Sequence, residues 1–311
     1  MARVTRTICV AAVSLATALG LRAAAGGAEN DSCRLTSQTM WSSCQAGARS
    51  DNWLAFSKCH NRPTDAARRA CRQQASADTK DTMATCREQF DARQVACARL
   101  GPAPYDPAIN PANFVATIDN PYFPLTPGTT FIYEGQTADG LEHSEFAVTH
   151  NTRSILGVTC VEVHDTATVA GELIEDTLDW FAQDKDGNVW YFGENSRQLA
   201  GGLTVGVEGS WTAGVDSAKP GIVMKAHPAI GDFYRQEFSL DTAEDLAEVI
   251  SLTESVTVPF GPFSNCLESA ETTPLEPSAL EHKFYAVNVG NVSTVDIEAG
   301  ETLELIQITR E

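Results

Sequence analysis

The chain has 311 residues, 43% of them hydrophobic, enough for a packed core and far from the composition of a disordered chain. Its 22 Lys and Arg against 41 Asp and Glu leave a net charge of −19. That field repels nucleic acid and anionic membrane surfaces and leaves divalent cations or a cationic partner open. The charge is unevenly spread: residues 101–311 carry 8 basic against 33 acidic side chains, and residues 1–100 carry 14 against 8.

Residues 1–28 read as a signal peptide, with Arg3 and Arg6, an apolar run from Ile8 to Leu21, then small residues. The run is too short to span a bilayer, and no later segment approaches about 20 apolar residues. The expectation is an exported protein, periplasmic or extracellular, without a membrane span. Removing Cys9 with the signal leaves eight cysteines, an even number suited to an oxidising compartment.

Residues 29–100 hold six of those eight. Cys33, Cys44, Cys59, Cys71, Cys86 and Cys97 are separated by 11, 15, 12, 15 and 11 positions, a palindrome. Paired from the outside in, their numbers have a constant sum, which is the register of two antiparallel segments folded about one centre. Steps of 11 and 15 are close to three and four helical turns, so each helix keeps its cysteines on one face. The expected bridges are therefore Cys33–Cys97, Cys44–Cys86 and Cys59–Cys71, one of fifteen formal connectivities. Helical arms at 32–60 and 64–99 follow, broken by Asn61-Arg62-Pro63 and restarted at a Thr64 or Asp65 cap. Zinc is the rival for such cysteines, but it wants two ligands a few residues apart and there is no such pair. The protein partner of this hairpin cannot be read from the sequence.

Residues 101–114 contain Pro102, Pro104, Pro107 and Pro111 and read as a semi-rigid linker. Residues 115–311 then alternate in the manner of strands, about ten of them, joined by short turns without helices between them. A helical turn is expected only near Leu240 to Val249. The fold class is α + β in separate domains: a disulfide-linked helical hairpin followed by a curved or closed antiparallel sheet. Cys160 and Cys266 lie far apart here and are either a fourth bridge or two buried thiols.

Three chemistries suggest themselves in the β domain. Glu175, Thr177, Asp179 and Phe181 share one face of a strand, and Ile174, Asp176, Leu178 and Trp180 the other. The second face reads as core, so Asp176 beside Trp180 is a candidate general acid, with Glu175 or Asp179 as partner, or else a paired acid at a sheet rim. His150 and His164, with Glu162, are candidate ligands for zinc or copper if their strands pair suitably. Asp184 and Asp186 open a stretch that begins like a calcium loop. It lacks the glycine at the sixth and the acid at the twelfth position, so a hairpin turn is the better reading. Aromatic residues are densest on the middle strands, where Trp180, Phe181, Trp190, Tyr191 and Trp211 could line an apolar pocket or simply form the core.

Several stretches carry a resemblance. They are Asn120-Pro121-Tyr122-Phe123-Pro124-Leu125 with Pro127-Gly128-Thr129, Glu175-Asp176-Thr177-Leu178-Asp179-Trp180-Phe181, and Asp186-Gly187-Asn188-Val189-Trp190-Tyr191-Phe192-Gly193. Lys283-Phe284-Tyr285-Ala286-Val287-Asn288-Val289-Gly290 completes the set, with Asn288 where a second glycine is usual. Residues 115–311 resemble a group of exported bacterial β-rich proteins of unassigned activity. More distantly they are similar to the curved sheets of periplasmic lipoprotein-carrier folds, a likeness of fold and not of function. The leading expectation is a non-catalytic binding protein holding a hydrophobic small ligand or lipid on the sheet. A calcium- or copper-binding surface protein and a carboxylate-dependent hydrolase are the alternatives.

Overall fold

The computed structural model describes residues 31–311; the expected signal at 1–28 lies outside them. Helices α1 (Ser32–His60) and α2 (Asp65–Leu100) form the hairpin. Thr64 caps α2, its hydroxyl accepting the Ala67 N–H at 3.1 Å. All three expected bridges are present, with Cα separations of 5.6, 5.7 and 5.5 Å. The helices bury little beyond cysteine and alanine; Trp41 on Phe90, 5.0 Å between rings, is their main aromatic contact. Sulfur does here what a hydrophobic core does in larger domains.

The β domain contains sixteen strands. They are β1 (Phe114–Val115), β2 (Thr129–Thr137), β3 (Gly140–Ile155), β4 (Val158–Val169), β5 (Glu172–Asp184), β6 (Val189–Ala200), β7 (Leu203–Gly206) and β8 (Trp211–Thr212). Then follow β9 (Lys219–Met224), β10 (Phe233–Arg235), β11 (Glu237–Phe238), β12 (Leu246–Val258), β13 (Gly261–Thr272), β14 (Leu280–Ala286), β15 (Gly290–Asp296) and β16 (Glu301–Arg310). Strands β2–β6 form one antiparallel meander and β12–β16 another, and β16 pairs with β2 to join them. The segment Phe233–Phe238 brings the two outer edges together: its first half bonds to β12 and its second half to β9. The result is a nearly closed antiparallel barrel, which leaves few of the open edges that invite aggregation.

Closure demands a glycine at one place. A β-carbon on Gly221 of β9 would lie 2.3 Å from the Gln236 carbonyl oxygen, so no larger residue lets the closing segment approach. Leu240–Val249 is not helical. Ser239 and Ala243 bridge a tight turn there, with Asp241 at a φ of 65°, and the chain then enters β12. Cooperative pairing in the meander wins over the local capping signal. Cys160 and Cys266 are both buried thiols and are not bridged.

Hairpin and barrel are in contact. Arg93 of α2 reaches Glu244 with two parallel hydrogen bonds, 2.8 and 2.6 Å, and both side chains are almost fully buried. Arg99 pairs with Glu248, and Gln89 donates to the Leu275 carbonyl at 2.8 Å. The proline segment lies along the barrel, Tyr105 packing on Phe238 and donating to the Pro220 carbonyl at 2.9 Å. The basic hairpin is thus set on the acidic barrel by specific charge pairs.

Residues 120–125 plug the barrel. Asn120, 2% exposed, donates to the Gly187 and Lys225 carbonyls and accepts the Tyr122 N–H. This staples the loop to the 184–188 turn and drives Phe123 inward against Phe181, 5.4 Å between rings. Asn120→Ala leaves three partly buried backbone groups short of a partner and is expected to cost about 2 kcal/mol. A urea denaturation midpoint within error of the parent would contradict that role.

Candidate functional site

The barrel interior holds a cavity of about 290 Å³ that opens to solvent. One wall is aromatic. Phe181 on β5 and Tyr191 on β6 stack at 4.7 Å, and Phe123 from the plug and Phe146 on β3 extend the contact. Trp211 closes the row edge-on to Tyr191 at 5.6 Å.

Asp165 and Asp179 line the other wall, with Glu175 and Glu194 beside them on the neighbouring strand positions. Registers explain how four acids come to one face: Asp165 on β4 lies opposite Thr177, and Asp179 on β5 lies opposite Glu194 on β6. Asp165, Glu175, Asp179 and Glu194 are therefore cross-strand or diagonal neighbours, and like charges at that spacing repel. Protonation relieves the repulsion. Burial, with the Glu175 charge beside it, pushes the Asp165 carboxyl up to about 7. Burial likewise lifts Glu194 to about 7 and Asp179, next to Asp165, well above the carboxylate range. The Tyr191 hydroxyl contacts Asp179 and stands 2.9 Å from Glu194. A phenol has one proton, so a carboxyl must supply the second for both contacts to be hydrogen bonds.

Glu237 and Asp245, from the closing segment and the chain entering β12, line the same cavity. Burial raises both, and the Asp245 charge adds to the effect on Glu237. Glu271 differs. Burial would raise it, but Lys283 at 2.9 Å together with Ser269 holds it below the usual range. Lys283 also reaches Glu281 at 3.2 Å, so its charge is already shared. Among the described residues, no Lys or Arg pairs with Asp165, Asp179, Glu237 or Asp245. The cavity holds an excess of acid over base.

The sequence-derived candidates divide among several places. Asp179, Phe181 and Tyr191 meet at this cavity, and Glu175 is on the same face. Asp176 does not: it faces the other way, paired with His164 at 3.0 Å and with Arg197 at 2.6 Å. It is a paired acid of the outer face, so the expectation of core around it is corrected. Trp180 is on that face too, and it is buried because Arg153 stacks over its ring at 3.9 Å and Glu162 accepts its indole N–H. Trp190 lies outside the barrel cavity, bonded to Asp184 and edge-on to Phe114.

His150 and His164 do not meet. The β3–β4 register sets His164 opposite Ala147, and an irregularity after Val148 carries His150 to an exposed position near Glu311. Asp184 accepts three hydrogen bonds, from the Asn188 backbone, the Asn188 amide and the Trp190 indole, so its oxygens hold the hairpin turn together. Asp186 is exposed. Among the described residues no group of three His, Cys, Asp or Glu stands close enough to hold a metal ion.

Asp165, Glu194, Glu237, Asp245 and Lys283 were missed from the sequence. Asp165 had a legible signal, since it continues the face of Val161 and Val163, an apolar stripe ending in an acid. Glu237 and Asp245 had none, because only barrel closure brings them to the others.

Against known proteins, the chain matches no family model and no curated protein. Among solved structures it is similar to a putative lipoprotein from Parabacteroides distasonis, at 18% identity and a TM-score of 0.30, over 60% of this chain and 98% of that one. No helix among the described residues is long and apolar enough to cross a membrane.

Proposed function

We propose that this protein is an exported, non-catalytic binding protein whose barrel cavity holds a small ligand with a flat apolar body and a protonated nitrogen. The observation that carries the reading is the pairing of an aromatic wall with unpaired carboxyls in one cavity. Aromatic faces attract cations through their quadrupole, and buried carboxyls that repel one another gain most from a positive guest. A cavity of about 150 Å³ takes benzene, so 290 Å³ suits a guest of roughly two rings. Three disulfides in one small module support export to an oxidising compartment.

Calorimetric titration of the mature chain with phenethylamine, 2-phenylethanol and 3-phenylpropionate tests the proposal. The amine is expected to bind roughly tenfold more tightly than the alcohol, the propionate least, and Asp179→Asn to erase the difference. Equal binding of amine and alcohol, or preference for the propionate, refutes the reading.

One observation favours a second reading, a carboxylate-dependent hydrolase: Asp165 holds its proton near neutral pH beside other acids at a cavity. Turnover of chromogenic esters or glycosides, lost in a folded Asp179→Asn variant, would place it ahead of binding alone.

A further inference from the structure

A larger space, about 630 Å³, lies outside the barrel where the open end of the hairpin, the proline segment and the closing segment converge. Its walls are mostly apolar: Leu100 and Ala96 from α2, Pro104 and Tyr105 from the proline segment, Trp190 and Ile222 from the barrel. Its size is in the ordinary range of small-molecule pockets.

Three cations border this crevice, and two are neutralised. Arg93 is paired with Glu244, and Lys219 with Asp106. Arg235 is the exception. Among the described residues no carboxylate lies within ion-pair distance of its guanidinium. The group rests over Phe238 at 4.7 Å and Tyr105 at 5.6 Å, and its one polar contact is a weak one of 3.9 Å to the Cys33 sulfur. Burial weakens its hold on its proton. A half-buried guanidinium with open donors in an apolar crevice gains most from an anion, and its planar fork suits carboxylate or phosphate. Residues 101–311 carry 33 acids against 8 bases, yet this crevice is lined by three cations against the two acids Glu244 and Asp106, a local reversal of the prevailing sign.

We infer that the crevice between hairpin and barrel is a second binding site, for a single-chain amphiphile whose anionic head pairs with Arg235 while its alkyl chain lies along Trp190, Ile222 and Leu100. The site is separate from the barrel cavity. The closing segment is the partition, turning Arg235 to the crevice and Glu237 to the cavity.

The test is calorimetric titration of the mature chain with decanoate, decyl phosphate, decanol and decyltrimethylammonium, each below its micelle concentration. The two anions are expected to bind, and the tighter one distinguishes a free fatty acid from a phosphorylated lipid as the source. Arg235→Gln should weaken the anions roughly tenfold or more and leave decanol unchanged. Should that variant not fold, Ala103→Trp, which fills the crevice from the exposed proline segment and touches no ion pair, is expected to abolish anion binding in a chain of parental circular dichroism. Saturation with phenethylamine should leave decanoate affinity unchanged, which separates this site from the barrel cavity. Binding of decyltrimethylammonium as tight as that of the anions, or decanoate affinity unmoved by both variants, overturns the inference.

Discussion

The melting temperature of the mature chain is expected to fall as the pH is raised from about 4.5 to about 8. In the folded protein the Asp165 and Glu194 carboxyls stand near about 7, whereas in the unfolded chain they return to the ordinary carboxylate range. Both groups therefore bind protons more tightly when folded. The stability this contributes is complete below the unfolded carboxylate range and is lost as the pH climbs through about 7. One pKa unit corresponds to about 1.4 kcal/mol, so the pair contributes on the order of 2–4 kcal/mol after discounting for water inside the cavity. General repulsion among the excess acids acts in the same direction, which is why the variant matters. The double change Asp165→Asn and Glu194→Gln should flatten the profile between these pH values while leaving the melting temperature at acid pH near that of the parent. A parental profile that is flat or rises with pH would contradict the description of the cavity as a place where carboxyls hold their protons. The amine proposed as ligand should also flatten it, since it stabilises the ionised forms.

The second large effect is expected at the joint between hairpin and barrel. Arg93→Met leaves Glu244, 2% exposed, without the guanidinium that neutralises it. Breaking one side of a buried ion pair costs about 3–5 kcal/mol, most of it from the charge left behind. Urea denaturation followed by tryptophan fluorescence should show that loss. Chymotrypsin should also cut after Tyr105 faster, because the proline segment is held partly by the hairpin beside it. The double variant Arg93→Met with Glu244→Met should recover much of the stability, since a matched apolar pair avoids the desolvation of both charges. A single variant that costs under about 1 kcal/mol would mean that Glu244 finds another partner or takes up a proton.

How much was legible differs between the two parts of the chain for a physical reason. Disulfide pairing in a helical hairpin is nearly one-dimensional: six positions with palindromic spacing admit one nested pairing, and helix periodicity puts them in reach. The break at Asn61-Arg62-Pro63 and the cap at Thr64 are equally local. Strand existence was also legible from alternation, which gave about ten strands where the structure has sixteen, because pairing around the barrel supports short segments that are not strand formers on their own merits.

The faces of those strands were harder to read. In β5 the stripe of Glu175, Thr177 and Asp179 has the look of a solvated surface, and the stripe of Ile174, Leu178 and Trp180 that of a core. The tertiary structure assigns them the other way: barrel curvature turns Asp179 toward the cavity, and neighbouring side chains, here Arg153 over Trp180, cover the outer stripe. Periodicity says which residues share a face; it does not say which face is inside.

The sequence by itself determined the disulfide framework, the helical limits, the order of elements and the division of charge, all of which depend on spacing, composition and local backbone preference. Only the tertiary structure decided where the carboxyls meet, which aromatics face them and which arginine borders the crevice under the hairpin. Asp165, Asp179, Glu237 and Asp245 come together through register and ring closure, and Arg235 comes to border an apolar crevice through the docking of a distant hairpin. Those relations are long-range, and no local pattern of residues carries them.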